Sequence, residues 1–234
     1  MFTRKIHAAF DYAAECHANQ VRKGTQSPYL SHLMAVASLV MEAAADGEAE
    51  VSEDLEDLVI AGLLHDAVED CGGAPVLEDI RRRFGDRVGD IVAHCTDAMP
   101  ALGEPKAPWL ERKRAYLAQL ERTDDYEALL VSAADKLHNT RAILTDLRTY
   151  EREGRPQEKF WQRFVAEDGD LKQRVPEILW YYQSLCHVIS RRATDEAENS
   201  TIRRLARLAG ELESAVGAMV GFAERAGFGV KAPG

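Results

Sequence analysis

The sequence predicts an all-α protein, a helical bundle built around one polar centre. Three observations carry this. Apolar residues recur at three- and four-residue spacing along most of the 234-residue chain. No alternating strand pattern, hairpin signal or fixed-period repeat interrupts them. Several of these apolar segments also run into His, Asp or Glu side chains that are costly to bury without partners.

From Thr3 to Asn19, Ile6, Phe10, Ala13, Ala14 and His17 recur at helical spacing. The loop from Val21 to Pro28 sets Arg22 and Lys23 beside a flexible Gly24, and reads either as a solvated turn or as a clamp for a phosphate or base. Tyr29 to Ala45 is helical again through Leu33, Val36, Ala37, Val40 and Met41. His32 lies on its first turn, where a lone His serves as a core or capping group as readily as a ligand.

Glu53 to Asp70 reads as a single helix with acids in its first turn, favourable to the helix dipole. It ends in the stretch on which the chain is organised, Ala61-Gly-Leu-Leu-His65-Asp66-Ala-Val-Glu69-Asp70. On a helix His65 and Glu69, like Asp66 and Asp70, are four apart and share a face. The imidazole nitrogen and carboxylate oxygen of His65 and Asp66 suit Mn, Fe, Zn or Mg. A helix end with solvated acids, stopped by Gly72-Gly73, is the competing reading, and further ligands elsewhere decide between the two.

Pro75 opens a short helix to Phe84, Gly85 closes it, and Asp86 to Thr96 forms the next. A loop follows from Asp97 to Ala107. Pro108 then starts a helix rich in cations, Arg112, Lys113 and Arg114, on an apolar stripe through Trp109, Tyr116, Leu117 and Leu120. Asp124 or Asp125 caps a helix that is apolar from Ala128 to Ala134 and turns polar at Asp135-Lys136-Leu137-His138-Asn139-Thr140-Arg141. An Asp directly after a buried run needs compensation. Beyond a polar break at Glu151 to Pro156, Lys159 to Val165 and Leu171 to Ile189 are helical, with aromatics that fill core. Glu196 to Arg225 carries a narrow stripe, Leu205, Leu208, Leu212, Val216 and Met219, which packs on its own bundle or pairs with a second copy. Gly227 to Gly234 reads as frayed.

The bulk properties narrow the classes. At 46% hydrophobic residues the chain can bury one sizeable core. A formal charge of −10 repels nucleic acid and anionic lipid, so an anionic substrate needs a local basic patch or a metal. Cys16, Cys71, Cys95 and Cys186 show no CxxC spacing, so neither a zinc knuckle nor a disulfide framework is expected, and a reducing cytoplasm fits. No apolar run suggests a signal peptide or a membrane span.

Collected together, His32, the His65-Asp66 doublet and Asp135 resemble, in that order, the pattern of the HD phosphohydrolase superfamily, an all-α metal-dependent fold. The resemblance sharpens with Arg22-Lys23, Pro28-Tyr29-Leu-Ser-His32, Leu63-Leu64-His65-Asp66-Ala-Val-Glu69-Asp70, Phe84-Gly85 and Ala134-Asp135-Lys136-Leu137-His138-Asn139-Thr-Arg141. Together these are similar to the hydrolase domain of RelA/SpoT homologues, especially the small alarmone hydrolases. The resemblance implies that His32, His65, Asp66 and Asp135 ligate one divalent ion, usually Mn²⁺. It implies that Glu69 and Asp70 orient or deprotonate the attacking water, and that Arg22, Lys23 and Asn139 hold the nucleoside, with Arg112 and Lys113 near the phosphates.

The implied reaction is metal-dependent hydrolysis of the 3′-diphosphate of guanosine tetra- or pentaphosphate (ppGpp, pppGpp). The implied organisation is a hydrolase domain over residues 1–195, with residues 196–234 as a C-terminal helix on the same domain and a frayed tail. A homodimer remains open. Since only about 40 residues follow the hydrolase region, a hydrolase without the synthetase domain is expected. Two departures bear on specificity. Ala142 stands where relatives often carry Thr near the base, which removes a hydroxyl, and Cys95-Thr96-Asp97 replaces Val-Thr-Lys. The alternatives are an HD phosphohydrolase for another nucleotide (a 2′-phosphate of the NADPH type, or a deoxynucleotide), and a non-catalytic alarmone-binding or antitoxin-like module.

Overall fold

The computed structural model describes residues 2–44, 53–97, 106–165, 169–194 and 200–232. Among these the chain is all-helical, apart from one isolated antiparallel bridge between Val21 and Pro28 that pinches the Arg22-Lys23 loop. The helices are α1 (Arg4–Cys16), α2 (Leu30–Ala44), α3 (Glu53–Leu64), α4 (Ala67–Cys71), α5 (Ala74–Phe84) and α6 (Asp86–Cys95). They continue with α7 (Trp109–Arg122), α8 (Tyr126–Arg152), α9 (Gln157–Trp161, extended by a 3₁₀ turn Gln162–Phe164), α10 (Leu171–Arg192) and α11 (Ser200–Arg225). The expected loop from Asp97 to Ala107 and the start of the last helix at Glu196 fall partly outside the described residues.

Local chemistry accounts for the helix starts. The Thr3 hydroxyl accepts from the Lys5 amide at 3.0 Å, Asp125 rather than Asp124 caps α8 by accepting from the Ala128 amide at 3.0 Å, and Asp170 caps α10 from the Lys172 amide at 2.8 Å. Pro75 sits in the first turn of α5, where its missing N–H costs nothing.

The axis of the bundle is α8, roughly 40 Å long at 1.5 Å per residue. Its Ala128–Ala134 run is fully buried, Ser132 included. α2, α3, α6 and α11 all pack against it. α2 and α3 approach closely at Gly62, where an added Cβ would lie 3.3 Å from the Ala37 Cα, so a larger residue would push the two helices apart. α11 packs along α8, α10 and α2 with its apolar stripe inward. The first residues of the expected frayed tail are ordered: the Phe228 amide donates to the Ala223 carbonyl at 2.9 Å and its ring is buried.

Two sequence expectations need correction. The helix read from Glu53 to Asp70 is broken at His65-Asp66 into α3 and α4. The break turns the adjacent side chains towards one point, which a continuous helix, rotating each residue by about 100°, would not allow. The cysteines are not all free either, since Cys16 and Cys71 form a disulfide. They are 55 positions apart in sequence, but the packing of α1 on α4 brings their Cα atoms to 6.0 Å. Spacing along the chain carries no signal of such a pair.

Cys16 and Cys71 end α1 and α4, so the bond ties the helix bearing Glu69 and Asp70 to the N-terminal helix. Closing a loop of 55 residues should contribute about 4 kcal/mol through the entropy of the unfolded chain. Urea unfolding with and without a dithiol reductant should therefore show a lower midpoint for the reduced protein; coincident transitions would refute this.

Candidate active site

Four side chains from three regions converge in the bundle. His32, on the first turn of α2, is fully buried, and His65 and Asp135 are 2% and 5% exposed. Asp66 occupies the break before α4. The His65 Nε2 lies 3.0 Å from Asp66 Oδ2 and 3.7 Å from Asp135 Oδ1, while the His32 Nε2 lies 3.2 Å from Asp135 Oδ1 and 3.6 Å from Asp66 Oδ2. Both Nε2 atoms are buried and neither makes a hydrogen bond of normal geometry.

The far side of each ring is already committed. His65 Nδ1 donates to the Gly62 carbonyl at 2.9 Å, because a carbonyl can only accept. His32 Nδ1 meets His138 Nδ1 at 2.7 Å. Burial, with His32 and Arg22 nearby, pushes His138 down to about 4, so it stays neutral at pH 7. With the Nδ1 atoms so engaged, both Nε2 atoms face two carboxylate oxygens. Two borderline nitrogens and two hard oxygens within this space fit one divalent transition ion.

The carboxylates are oriented from behind. The Tyr29 hydroxyl donates to Asp66 Oδ2 at 2.6 Å, and Lys136 and the Asn139 amide both hold Asp135. Because the Asn139 amide nitrogen faces Asp135, its oxygen is turned to accept from Arg22 Nη2 at 2.8 Å. A single amide therefore links the metal-type cluster to the Arg22-Lys23 loop.

The remaining expected residues lie around this cluster. Glu69 and Asp70 stand on α4, three and four positions beyond Asp66. Glu69 pairs with Lys106 at 2.9 Å, and Asp70 accepts from the Gln20 amide at 2.8 Å. Burial and the Asp97 carboxylate raise the Glu69 carboxyl above its usual range. Lys23 lies 5.6 Å from the Phe164 ring centre, and burial, with Arg174 and Arg163, lowers its ammonium below the usual range.

Arg112 and Lys113 are both ion-paired to Asp97, a side chain that is 3% exposed, which draws part of their charge away from any phosphate. Arg112 also approaches Glu69 at 3.5 Å. The cation seated most directly on the acid pair is Lys106, which the sequence reading did not single out. Tyr29, Lys136 and His138 were also given no role, although they stand inside the quoted motifs. Lys106 and Gln20 left no signal, because their partners lie 37 and 50 positions away in sequence.

Against the cost of burial, Asp66 and Asp135 lift the His65 imidazole well above its ordinary value, so a proton and a cation compete for this nitrogen. Metal affinity should therefore rise with pH near neutrality, by roughly tenfold per unit for each proton released. Competition with a chelating dye at pH 6, 7 and 8 measures this, and a flat profile would refute it.

Comparison with known proteins places this geometry. Residues 9–160 match the HD domain family model. The chain is 34% identical over 163 residues to the mouse guanosine-3′,5′-bis(diphosphate) 3′-pyrophosphohydrolase MESH1, covering 68% of this chain and 81% of that protein. The Drosophila melanogaster MESH1 is 30% identical over 181 residues, covering 74% of this chain and 92% of that protein. A probable GTP pyrophosphokinase of Mycobacterium leprae is 36% identical over 139 residues, 59% of this chain, which spans only 16% of that longer protein. Among solved structures, a metazoan orthologue of SpoT described as hydrolysing ppGpp superimposes with a TM-score of 0.62 at 22% identity, over 92% of this chain and 96% of that one, and so shares the fold. With the HD model over residues 9–160 and two MESH1 proteins matched over 81% and 92% of their length, this chain belongs to the HD-domain family of RelA/SpoT-like alarmone hydrolases.

Proposed function

We propose that this chain hydrolyses the 3′-diphosphate of guanosine tetra- or pentaphosphate, yielding GDP or GTP and pyrophosphate. The relatives named for that activity support the reading. The observation that carries it is the pair of buried, unbonded imidazole nitrogens facing two carboxylates, beside an acid pair and a cationic pocket. His32, His65, Asp66 and Asp135 would hold the ion, and Mn²⁺ suits this nitrogen and oxygen set. When bound, the ion supplies positive charge beside the reacting phosphorus.

The chain's own groups do the rest. Arg22, Lys23 and Asn139 orient the nucleoside end, and Lys106, with Arg112 and Lys113, offsets phosphate charge. Glu69 and Asp70 hold a water and take its proton as the water oxygen bonds to phosphorus. The bond from phosphorus to O3′ breaks, its electron pair goes to O3′, and the held proton is then available there. The raised Glu69 carboxyl is suited to such a transfer, because a base works best with a pKa near the working pH. No described helix is long and apolar enough to cross a membrane. On this reading the enzyme works on a free nucleotide in the cytoplasm, where the Cys16–Cys71 bond meets a reducing thiol pool.

Asp135→Ala should reduce bound metal from one ion per chain to none and abolish turnover, as read by elemental analysis and pyrophosphate release. Glu69→Gln and Asp70→Asn should keep the metal and lose roughly 10²- to 10⁴-fold in kcat. Undiminished turnover in both acid variants, or full metal content in Asp135→Ala, would overturn the assignment.

A further inference from the structure

Asp146 has no part in the chemistry above, yet it stands on the same face of α8 as the cluster. Asp135, Asn139, Ala142 and Asp146 follow one another at spacings of four, three and four, a single stripe down the helix. The stripe runs about 16 Å from the metal-type cluster to Asp146. There it enters a cavity of about 430 Å³ lined by Arg22, Lys23, Asn139, Asp146, Arg163 and Phe164, among others. Among the described residues lining that cavity, Asp146 supplies the one carboxylate.

The carboxylate is fixed in place. Its Oδ2 accepts from Arg163 Nη1 at 2.7 Å, and the Arg163 guanidinium lies 4.0 Å from the Phe160 ring centre and 4.9 Å from that of Phe164. Gly24 packs against the same Arg163 side chain. Its φ is +74°, and an added Cβ would lie 2.6 Å from the Arg163 Cδ, so the loop carrying Arg22 and Lys23 is pressed onto the Arg163 stem. A carboxylate has about four lone-pair sites, and one contact to Arg163 leaves capacity for further N–H donors.

We propose that Asp146, oriented by Arg163, is the specificity determinant for the base, accepting from the N1–H and the 2-amino group of guanine. Guanine presents two adjacent donors on that edge and acceptors at O6 and N7, whereas adenine presents an acceptor at N1 and an amino donor at C6. A cavity that offers one carboxylate for the two donors, together with the Lys23 and Arg22 cations for the acceptors, matches guanine and mismatches adenine. The hydroxyl lost at Ala142 is thus answered one turn further along the same stripe. This inference rests on the guanosine-nucleotide reading above and names the residue that would enforce it.

The test is calorimetric binding of GDP and of IDP, which lacks the 2-amino group, to the Mn²⁺-loaded protein and to Asp146→Asn. The wild type should prefer GDP by roughly tenfold to a hundredfold, the range for one hydrogen bond to a charged group. Asp146→Asn should lose most of that preference through weaker GDP binding, with IDP affinity changed much less. If Asp146 only held Arg163, its loss would weaken both nucleotides alike and preserve the ratio, which overturns the proposal. Equal or absent binding of both nucleotides by the wild type overturns it too. Should Asp146→Asn fail to fold, Asp146→Glu, which keeps the charge but shifts the oxygens by a methylene, must also lower the ratio. Neither nucleotide carries a 3′-diphosphate, so the result is independent of hydrolysis. A protein that prefers GDP but leaves ppGpp intact would refute the proposed activity and retain this assignment, and the converse result would do the reverse.

Discussion

Two buried imidazoles and two carboxylates, one buried and one half-buried, gathered in an apolar bundle with both Nε2 atoms unbonded, are the constraint on which the molecule depends. Burying ionisable groups costs several kcal/mol each unless they are paired. Here the oxygens lie 3.0 to 3.7 Å from the Nε2 atoms, and the two carboxylates favour positive charge on His65. The same four groups suit a divalent cation. The break between α3 and α4, the close α2–α3 approach at Gly62 and the turn from apolar to polar at Asp135 on α8 all serve to put those four groups together.

From that centre the order spreads outward through a short hydrogen-bonded chain. Tyr29 holds Asp66; Lys136 and Asn139 hold Asp135; and Asn139, with its amide turned by that contact, receives Arg22. The loop that carries Arg22 and Lys23 is thereby positioned by a residue that also touches Asp135. Helix α8 acts as the spacer: the same face presents Asp135, the linking Asn139 and, three turns from Asp135, Asp146 in the cavity.

The acid pair is balanced separately. Glu69 and Asp70 sit on a five-residue helix that could not persist alone, since isolated helices of that length are not stable in water. It is held at one end by the Asp66 break and at the other by Cys71 bonded to Cys16, while Gln20 and Lys106 fix the carboxylates. Asp97 keeps Arg112 and Lys113 in ion pairs, so the phosphate end is less positive than the count of cations on α7 suggests.

The all-α class, most helix boundaries and the family were legible from sequence alone, because helical periodicity and the His, His-Asp, Asp order are local or ordered along the chain. The polar residues after apolar runs, His65-Asp66 and Asp135, marked the centre for the same reason: a buried charge stands out against its neighbours. What only the tertiary structure decided are relations between residues far apart. They include the Cys16–Cys71 bond, the Asp97 claim on two cations, the placing of Lys106 on Glu69, and the Asp146–Arg163 pair beside Gly24. Each depends on which helices pack together and at what angle, and that is set by the shapes of many buried side chains at once, which no single stretch of sequence encodes.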